Sequence, residues 1–319
     1  MAEFKHVRPA GEAMFKDRYI TKIKELLTPW QKGVKGEFGL VGAPLSKSSI
    51  SHSGAAFAPG AIREAMQSYS TYSGEMGVDL KDRVIVDFGD VDLHPTDIPG
   101  SQEQIYEGVK EVLDTEAADH WMVLGGDHSI SFPSIRAFRE TFGRIGVIQF
   151  DAHHDLRNLE DGGPTNGTPF RSLLEHQVLE GKDLIQMGIR DFANGEAYDQ
   201  FAKEKGVTVY TMGDVRKQPM EDLVNQSLKQ LEDQVDVIYL SVDMDVLDQA
   251  FAPGCPAIGP GGMDSRTLLE GVYHAARHPK VRAMDIVEID PTVDFRNMTS
   301  RVAANVILAY MKGKVKNFN

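Results

Sequence analysis

The sequence predicts an α/β fold in which helices cover both faces of a mainly parallel sheet. Short apolar runs with little polar alternation recur along the chain, which is typical of strands that are buried on both faces. Longer amphipathic segments separate most of these runs, and alternating strands and helices favour a parallel sheet. About eight strands of this kind fit one doubly wound or barrel domain, so we expect a single domain over residues 1–319.

The individual elements follow from these runs in chain order. Eight segments are predicted as strands: 38–43, 84–88, 122–126, 146–150, 184–189, 207–211, 236–242 and 281–289. Six amphipathic segments are predicted as helices: 59–69, 101–113, 131–142, 220–234, 265–278 and 298–313. Three Gly- and Pro-rich stretches are predicted as long loops: 43–60, 160–170 and 249–262. In open α/β sheets, sites form in such loops beyond the carboxyl ends of the strands.

Composition and charge exclude several classes of protein. Hydrophobic residues make up 41% and charged residues 25% of the chain, which supports a sizeable core and argues against disorder. The net charge of −13 argues against a nucleic-acid or anionic-membrane partner, since phosphate contacts need clustered Lys and Arg. The single cysteine, Cys255, excludes an intramolecular disulfide. Residues 1–15 lack the apolar core of a secretory signal, and no apolar stretch is long enough to span a membrane, so we expect a cytoplasmic protein.

Three clusters of acidic and histidine residues each follow a predicted strand. FDAHHD places Asp151, His153 and Asp155 after the strand that ends at Phe150. LGGDHS places His128 after a second strand, and SVDMD places Asp243 and Asp245 after a third. We therefore expect all three clusters to meet at one edge of the sheet. Alternating positions in an extended chain share a side, so Asp151, His153 and Asp155 could project together.

This set of side chains favours a metal site. Taken alone, the DMD motif is more often a cap or a turn, and His128 could be an ordinary helix-entry residue. Together, however, four carboxylates would repel one another and raise each other's pKa unless cations neutralised them. A set of four carboxylates and two imidazoles suits Mn²⁺, and six ligands are too many for one tetrahedral zinc. They suit two metal ions about 3.5–4 Å apart.

With these motifs in place, the chain resembles the ureohydrolase family of arginases, agmatinases and formimidoylglutamases. LGGDHSIS, FDAHHDLR and SVDMDVLD match the family's three metal motifs in the family's order. The resemblance runs from GAPLSKSSISHSGAAFAPGAIR to MDIVEIDP, nearly the whole chain. It implies a single three-layer α/β/α domain with an eight-stranded, mainly parallel sheet, two Mn²⁺ per subunit and a homo-oligomer.

The resemblance also implies roles for individual residues. One manganese ion would be held by His128, Asp151, Asp155 and Asp243. The other would be held by Asp151, His153, Asp243 and Asp245. A hydroxide between the two ions would attack an amidine carbon, while Glu288 in VEIDP would bind the substrate's cationic nitrogen. Asp245 would pass the proton to the leaving group, with His154 as an alternative proton carrier.

Three departures from the arginase and agmatinase pattern favour one substrate. Asn166 stands where those enzymes have a histidine, and Ala193 stands where arginase has an acid for the substrate's α-ammonium. Arg157 follows the metal motif directly and could bind a carboxylate in a bidentate manner, with Arg190 in support.

FDAHHDLR, GGPTNGTPF and DFRNMTSR most resemble bacterial formimidoylglutamases, which implies hydrolysis of N-formimidoyl-L-glutamate to L-glutamate and formamide in histidine degradation. The alternatives are another amidinohydrolase that releases urea (a guanidino-acid hydrolase, an arginase or an agmatinase) and a non-catalytic metal-binding relative.

Overall fold

The computed structural model describes residues 17–94 and 96–315. The prediction that residues 1–15 contain no secretory signal concerns residues outside the described ranges. Within the described ranges, no helix is both long enough and apolar enough to cross a membrane.

A parallel sheet forms the centre of the protein. The described residues form eleven strands: β1 (Leu27–Pro29), β2 (Gly36–Ala43), β3 (Tyr72–Ser73), β4 (Val78–Asp79), β5 (Ile85–Asp90), β6 (Ala118–Gly125), β7 (Ile145–Phe150), β8 (Leu184–Ile189), β9 (Thr208–Thr211), β10 (Val237–Asp243) and β11 (Val281–Val287). Nine of them pair in the order β1-β5-β2-β6-β11-β10-β7-β8-β9. Every pairing in this sheet is parallel. The short β3 and β4 form a separate antiparallel pair.

The predicted α/β class is confirmed, and the sheet has one strand more than the eight predicted. The additional strand is β1, which pairs at the edge with β5. It has only three residues and ends in Pro29, so it lacks the apolar run that marks the other strands. Proline is tolerated there because an edge strand has one side without a neighbour. The extent of the domain, residues 1–319, stays a prediction.

Helices cover both faces of the sheet. Across the described residues the α-helices are α1 (Ala58–Ala65), α2 (Ile98–Asp114), α3 (Ser131–Phe142), α4 (Pro169–Glu175), α5 (Glu196–Lys205), α6 (Met212–Val215), α7 (Met220–Leu231), α8 (Ser265–Ala276) and α9 (Met298–Lys314). All six predicted helices are present. The three that the sequence did not indicate, α4, α5 and α6, are short, and α5 buries only Ala202.

Alternating side chains of each central strand supply two separate cores. In β10, Ile238, Leu240 and Val242 pack in the core that contains buried residues of α1, α7, α8 and α9. Val237 and Tyr239 of the same strand pack in the opposite core, with residues of α2, α3 and α4. This period of two is the expected alternation of a strand that is buried on both faces. The result is a three-layer α/β/α arrangement.

The sheet order brings the predicted clusters together. β6, β11, β10 and β7 are consecutive neighbours in the sheet. Because they run parallel, the segments that follow them all leave the sheet at the same edge. His128 follows β6, Glu288 follows β11, Asp243 ends β10, and Asp151 follows β7.

Candidate metal centre

Tight backbone packing positions the segment that follows β6 and carries His128. After β6, the chain passes through Gly126, where a Cβ atom would lie 1.7 Å from the carbonyl oxygen of Leu45. Only glycine fits this close approach between two chain segments. Asp127 then caps a short 3₁₀ helix that starts at His128, its side chain accepting a hydrogen bond from the Ser129 amide. This turn directs the His128 ring over the end of the sheet.

The first group of side chains surrounds one nitrogen of His128. Nδ1 lies 2.8 Å from Oδ2 of Asp155, 3.0 Å from Oδ2 of Asp243 and 3.1 Å from Oδ2 of Asp151. All four residues are buried, and the four ligand atoms lie within 4.8 Å of one another. The geometry is that of a ligand set around one small cation.

A second group shares Asp151 with the first. It consists of Asp151, His153 and Asp245, again with one ligand atom each within 4.8 Å. Nδ1 of His153 lies 3.0 Å from Oδ2 of Asp245 and 3.5 Å from Oδ1 of Asp151. The two oxygens of Asp151 therefore face different groups, as a bridging carboxylate requires.

Asp243 belongs to the first group, as the resemblance implies, but the resemblance also implies that it contributes to the second. Its Oδ2 lies beside His128, while its Oδ1 accepts a hydrogen bond from the Asp245 amide at 2.8 Å. The second group forms without Asp243. Its bridging role stays a prediction.

The hydrogen bonds of His128 test whether a cation fits the first group. Ser241 Oγ donates to the carboxylate of Asp285 at 2.9 Å, since a carboxylate only accepts. Ser241 Oγ therefore accepts from Nε2 of His128, also 2.9 Å away. A neutral His128 then has a lone pair on Nδ1, which is buried and lacks a hydrogen-bond partner among the described residues. A lone pair aimed at three carboxylate oxygens is repulsive unless a cation or a proton lies between them, so a divalent metal ion fits.

The carboxylates make the centre strongly negative. The charge of Asp245 raises the pKa of His153 to about 12. Burial, together with the charge of Asp151, raises the pKa of Asp155 to about 6. Burial raises the pKa of Asp243 well above its usual range, and the charges of Asp245 and Asp151 add to this effect. Each shift reflects the electrostatic cost of bringing several carboxylates together in a buried site, and bound divalent cations would remove this cost.

Glu288 lies beside this centre with one oxygen free. It follows β11 in the left-handed region at φ 61°, which is uncommon for a residue other than glycine. Its Oε1 accepts hydrogen bonds from the His128 amide at 2.8 Å and from Nδ2 of Asn166 at 3.1 Å. Its Oε2 is buried without a partner in the part of the chain that is described. Burial, with the nearby charge of Asp127, raises the pKa of Glu288 to about 8, so a bound cation would be needed to keep it ionised at neutral pH.

A cavity of about 230 Å³ opens onto both groups. His153, Asp155, Asp243 and Asp245 line it on one side. Arg157, Asn166, Ala193 and Asn194 line it elsewhere. A larger groove of about 850 Å³ runs between Tyr69–Leu80 and helices α8 and α9, but it contains none of these clustered groups. The smaller cavity is therefore the candidate active site.

The two predicted substrate-binding arginines differ in their surroundings. Arg157 is exposed, lines the cavity and has no ion-pair or hydrogen-bond partner among the described side chains. Arg190 is nearly buried and donates to the carbonyl oxygens of Asp245 at 3.2 Å and Gly259 at 3.4 Å. It lines an adjoining pocket rather than this cavity. Arg157 is thus free to bind an anion, whereas Arg190 holds two loops together, and its contact with substrate stays a prediction.

His154 lines the cavity but is tied to other groups. Its Nδ1 lies 2.7 Å from Oε1 of Gln186, and its Nε2 lies 3.9 Å from Oδ1 of Asp199. Its backbone amide donates to Asn194 at 2.9 Å. Its role as a proton carrier stays a prediction.

Several polar residues around the centre were not found from the sequence. Ser241 and Asp285 support His128, and Gln149 and Gln186 lie beneath the metal motif. Each stands inside a predicted strand among apolar residues. A buried polar residue in an otherwise apolar strand is the signal that could have indicated them, because such a group needs a partner.

The comparisons with known proteins agree with this geometry. A sequence model of the Arginase family matches residues 36–312. A formimidoylglutamase of Halalkalibacterium halodurans is 59% identical over 305 residues, which cover 95% of each chain. The crystal structure of a Bacillus subtilis formimidoylglutamase superposes with a TM-score of 0.93 at 49% identity, covering 98% of each chain. A Trypanosoma cruzi formiminoglutamase solved with Mn²⁺ shares the fold, with a TM-score of 0.84 at 24% identity over 93% of this chain and 99% of that one.

The protein belongs to the arginase family, and the resemblance inferred from its three motifs is confirmed.

Proposed function

We propose that this protein hydrolyses N-formimidoyl-L-glutamate to L-glutamate and formamide, as a step of histidine degradation. Formimidoylglutamases that are 59% and 50% identical over nearly the whole chain support this reaction. The observation that carries it is one cavity lined by members of both metal-ligand groups and by Arg157, whose side chain has no partner among the described residues. Asn166 at the cavity wall donates to Glu288, whose Oε2 is buried without a partner in the described part of the chain. These match the amidinium and carboxylate ends of the substrate.

Two Mn²⁺ ions are the cofactors we propose. His128, Asp151, Asp155 and Asp243 would hold one ion, and Asp151, His153, Asp243 and Asp245 would hold the other, so that Asp151 and Asp243 would serve both. An oxygen-rich set with two imidazoles suits Mn²⁺. When bound, such a pair lowers the pKa of a water molecule so that hydroxide is available near neutral pH.

Glu288 would orient the substrate. Its Oε2 has no partner among the described residues, so it can pair with a nitrogen of the cationic amidine. The two hydrogen bonds on Oε1 prevent the carboxylate from rotating away. A charge-assisted hydrogen bond of this kind fixes the planar carbon relative to the metal groups.

The products require two protons to reach the leaving nitrogen, and both come from the water whose oxygen becomes the carbonyl oxygen of formamide. Water adds to the amidine carbon, the bond from that carbon to the glutamate nitrogen breaks, and the nitrogen leaves as an ammonium group. Asp245 is the proposed proton carrier, since it lines the cavity and its Oδ1 accepts, from the described residues, only a 3.3 Å hydrogen bond from the Ala152 amide. Asn166 cannot take this role because an amide does not titrate, and its hydrogen bond to Glu288 gives it an orienting role instead.

Arg157 would supply the preference for an acidic substrate. Arg157 lines the cavity, its side chain has no partner among residues 17–94 and 96–315, and a guanidinium can bind a carboxylate in a bidentate manner. Ala193, also at the cavity wall, offers no charge to a free α-ammonium group. In the proposed substrate that nitrogen carries the formimidoyl group, so no such acid is needed.

Offering several substrates to the manganese-loaded protein tests the proposal. Formimidoyl-glutamate, arginine, agmatine and guanidinobutyrate are supplied side by side, and formamide and urea are both measured. We expect formamide from formimidoyl-glutamate. Urea from a guanidino compound, without formamide release, would favour the alternative of another amidinohydrolase. Arg157, with no partner among the described side chains, would also suit the carboxylate of a guanidino acid.

We also propose that the protein acts in the cytoplasm as a homo-oligomer. The resemblance to a family that forms rings of subunits supports self-association. Light scattering on the purified chain would measure the number of subunits directly.

A further inference from the structure

Two buried glutamines face each other across the sheet beneath the metal motif. Gln149 is the only polar residue of β7 and Gln186 the only polar residue of β8. They are direct register partners in this parallel pair. Neither side chain is exposed to solvent. Burying an amide without hydrogen bonds destabilises a protein, so two amides in the sheet core need full pairing.

Their hydrogen bonds run in a single direction. Gln149 Nε2 donates to Oδ2 of Asp151 at 2.7 Å, because the carboxylate can only accept. Gln149 Oε1 must then face Gln186, whose Nε2 donates to it at 2.7 Å. Gln186 Oε1 in turn accepts from Nδ1 of His154 at 2.7 Å. The chemistry of the carboxylate end alone thus fixes both amide orientations and places a proton on Nδ1 of His154.

The same amides also hold the backbone of the metal motif. The Nε2 of Gln149 reaches the carbonyl oxygen of His153 at 3.3 Å. The Nε2 of Gln186 donates to the carbonyl oxygen of His154 at 2.8 Å. Both glutamine amides thus use their side-chain N–H donors, and three of these four hydrogen bonds go to the segment that carries the candidate ligands.

The chain of hydrogen bonds ends on Asp151, the carboxylate that both metal groups contain. Oδ2 of Asp151 accepts a hydrogen bond from Nε2 of Gln149, and Oδ1 accepts one from the His153 amide at 2.6 Å. Oδ2 faces the first group and Oδ1 the second. One donor on each oxygen fixes the rotation of the carboxylate plane, which decides whether both oxygens can bind metal at once.

We propose that Gln149 and Gln186 are positioning residues for the bridging carboxylate of Asp151, and that His154 is the buried anchor of their chain. The proposal rests on the proposed two-metal centre. In this arrangement His154 donates its Nδ1 proton to a hydrogen bond with Gln186, and this proton does not take part in the reaction.

Mn²⁺ binding to three variants tests this proposal. Gln149→Met and Gln186→Met keep the side-chain length and remove the amide. Gln230→Met is the matched control, since that glutamine bonds to Thr208 and to the Lys182 carbonyl oxygen and does not reach the metal motif. Free Mn²⁺ is followed by electron paramagnetic resonance during titration of each chelator-treated full-length protein. Thermal unfolding of each variant confirms that it is folded.

We expect Gln149→Met to raise the Kd for Mn²⁺ about 10- to 100-fold, as loss of a hydrogen bond to a metal ligand typically does. Gln186→Met should raise it by a smaller factor, because it acts through Gln149. The spectrum of the coupled Mn²⁺ pair should change in both variants and stay unchanged in Gln230→Met. A purely structural role would lower thermal stability in all three without altering this spectrum.

The proposal is overturned if folded Gln149→Met binds two Mn²⁺ with the parent's affinity and spectrum. Should Gln149→Met fail to fold, an unchanged affinity in Gln186→Met overturns it equally. Failure of the metal centre itself looks different, because the parent protein would then bind no Mn²⁺. As a second measurement, nitrogen chemical shifts of His154 in the parent should show the Nδ1–H tautomer, and a bare Nδ1 would contradict the hydrogen-bond chain.

Discussion

Asn166 donates the amide of its side chain to the carboxylate of Glu288, with 3.1 Å between Nδ2 and Oε1. The Oδ1 of Asn166 accepts from the Ile50 amide at 3.0 Å, so the orientation of the side chain is set from both ends. Asn166 thereby links the loop of Gly- and Pro-rich sequence after β7 to the group that would bind the substrate's cation.

Removing this link should weaken substrate binding while leaving the metal groups intact. A hydrogen bond to a charged group contributes about 1.5–3 kcal/mol, so Asn166→Ala should raise KM for formimidoyl-glutamate about 10- to 100-fold. Steady-state kinetics and metal analysis of the same sample measure the two effects. Asn158→Ala is the control, because that amide bonds to Asp161 and Tyr198 instead. An unchanged KM in Asn166→Ala would show that Glu288 is held without this contact.

The sharing of Asp151 predicts a pattern of metal loss. Asp155→Asn should leave one ion per chain, since Asp155 belongs to the first group alone, and Asp245→Asn should do the same for the second group. Asp151→Asn should weaken both ions. Bound manganese per chain is counted by elemental analysis after dialysis. Asp183→Asn is the control, because Asp183 is also buried yet pairs with Arg144 and belongs to neither metal group. Equal loss in all three ligand variants would contradict two separate groups.

Arg157 should decide between acidic and neutral amidines. Loss of a charged hydrogen-bond partner costs about 1.5–3 kcal/mol, so Arg157→Ala should raise KM for formimidoyl-glutamate about 10- to 100-fold. Turnover of formamidine, which has no carboxylate, should not change. Arg157→Lys should recover only part of the loss because an ammonium group lacks the bidentate geometry. Arg136→Ala, on the surface with Glu103 as its partner, serves as control. Equal losses for both substrates in Arg157→Ala would place Arg157 outside substrate recognition.

Lys314 near the end of α9 gives a pH-dependent prediction away from the active site. Burial lowers its pKa to about 7. Between this value and the ordinary lysine value of about 10.4, the unfolded chain keeps a proton that the folded chain has lost, so stability rises with pH across this window. Lys314→Met should therefore raise the unfolding temperature more at pH 6 than at pH 10. Lys229→Met, exposed on α7, is the control and should show no such difference. An increase in unfolding temperature that is the same at both pH values would contradict the lowered pKa of Lys314.

Much of the site could be predicted because its chemistry is local to the ends of strands. The apolar run of β7 ends at Phe150, and the candidate ligands begin at the next residue, so the motif and its position in the fold are read together. The same holds for His128 after β6 and for Asp243 at the end of β10. Parallel strands with crossover helices leave little choice about which edge these ends share.

The remaining contacts depend on which strands are neighbours, and a single sequence does not contain that information. Gln149 meets Gln186 because β7 and β8 pair in that register. The acidic residues of VDFGDVDLH illustrate the same limit. The sequence indicates only that they could end a strand, whereas Arg63 of α1 pairs with Asp87 at 2.8 Å and with Asp90 at 2.6 Å.

A titration of metal-free protein with Mn²⁺ tests the central claim most directly. Formamide release from formimidoyl-glutamate is measured at each ratio of ion to chain. If the six clustered side chains hold two ions that the reaction requires, release should be absent without metal and should reach its maximum at two equivalents per chain. Full release from chelator-treated protein, or no release at any amount of metal, would contradict the account.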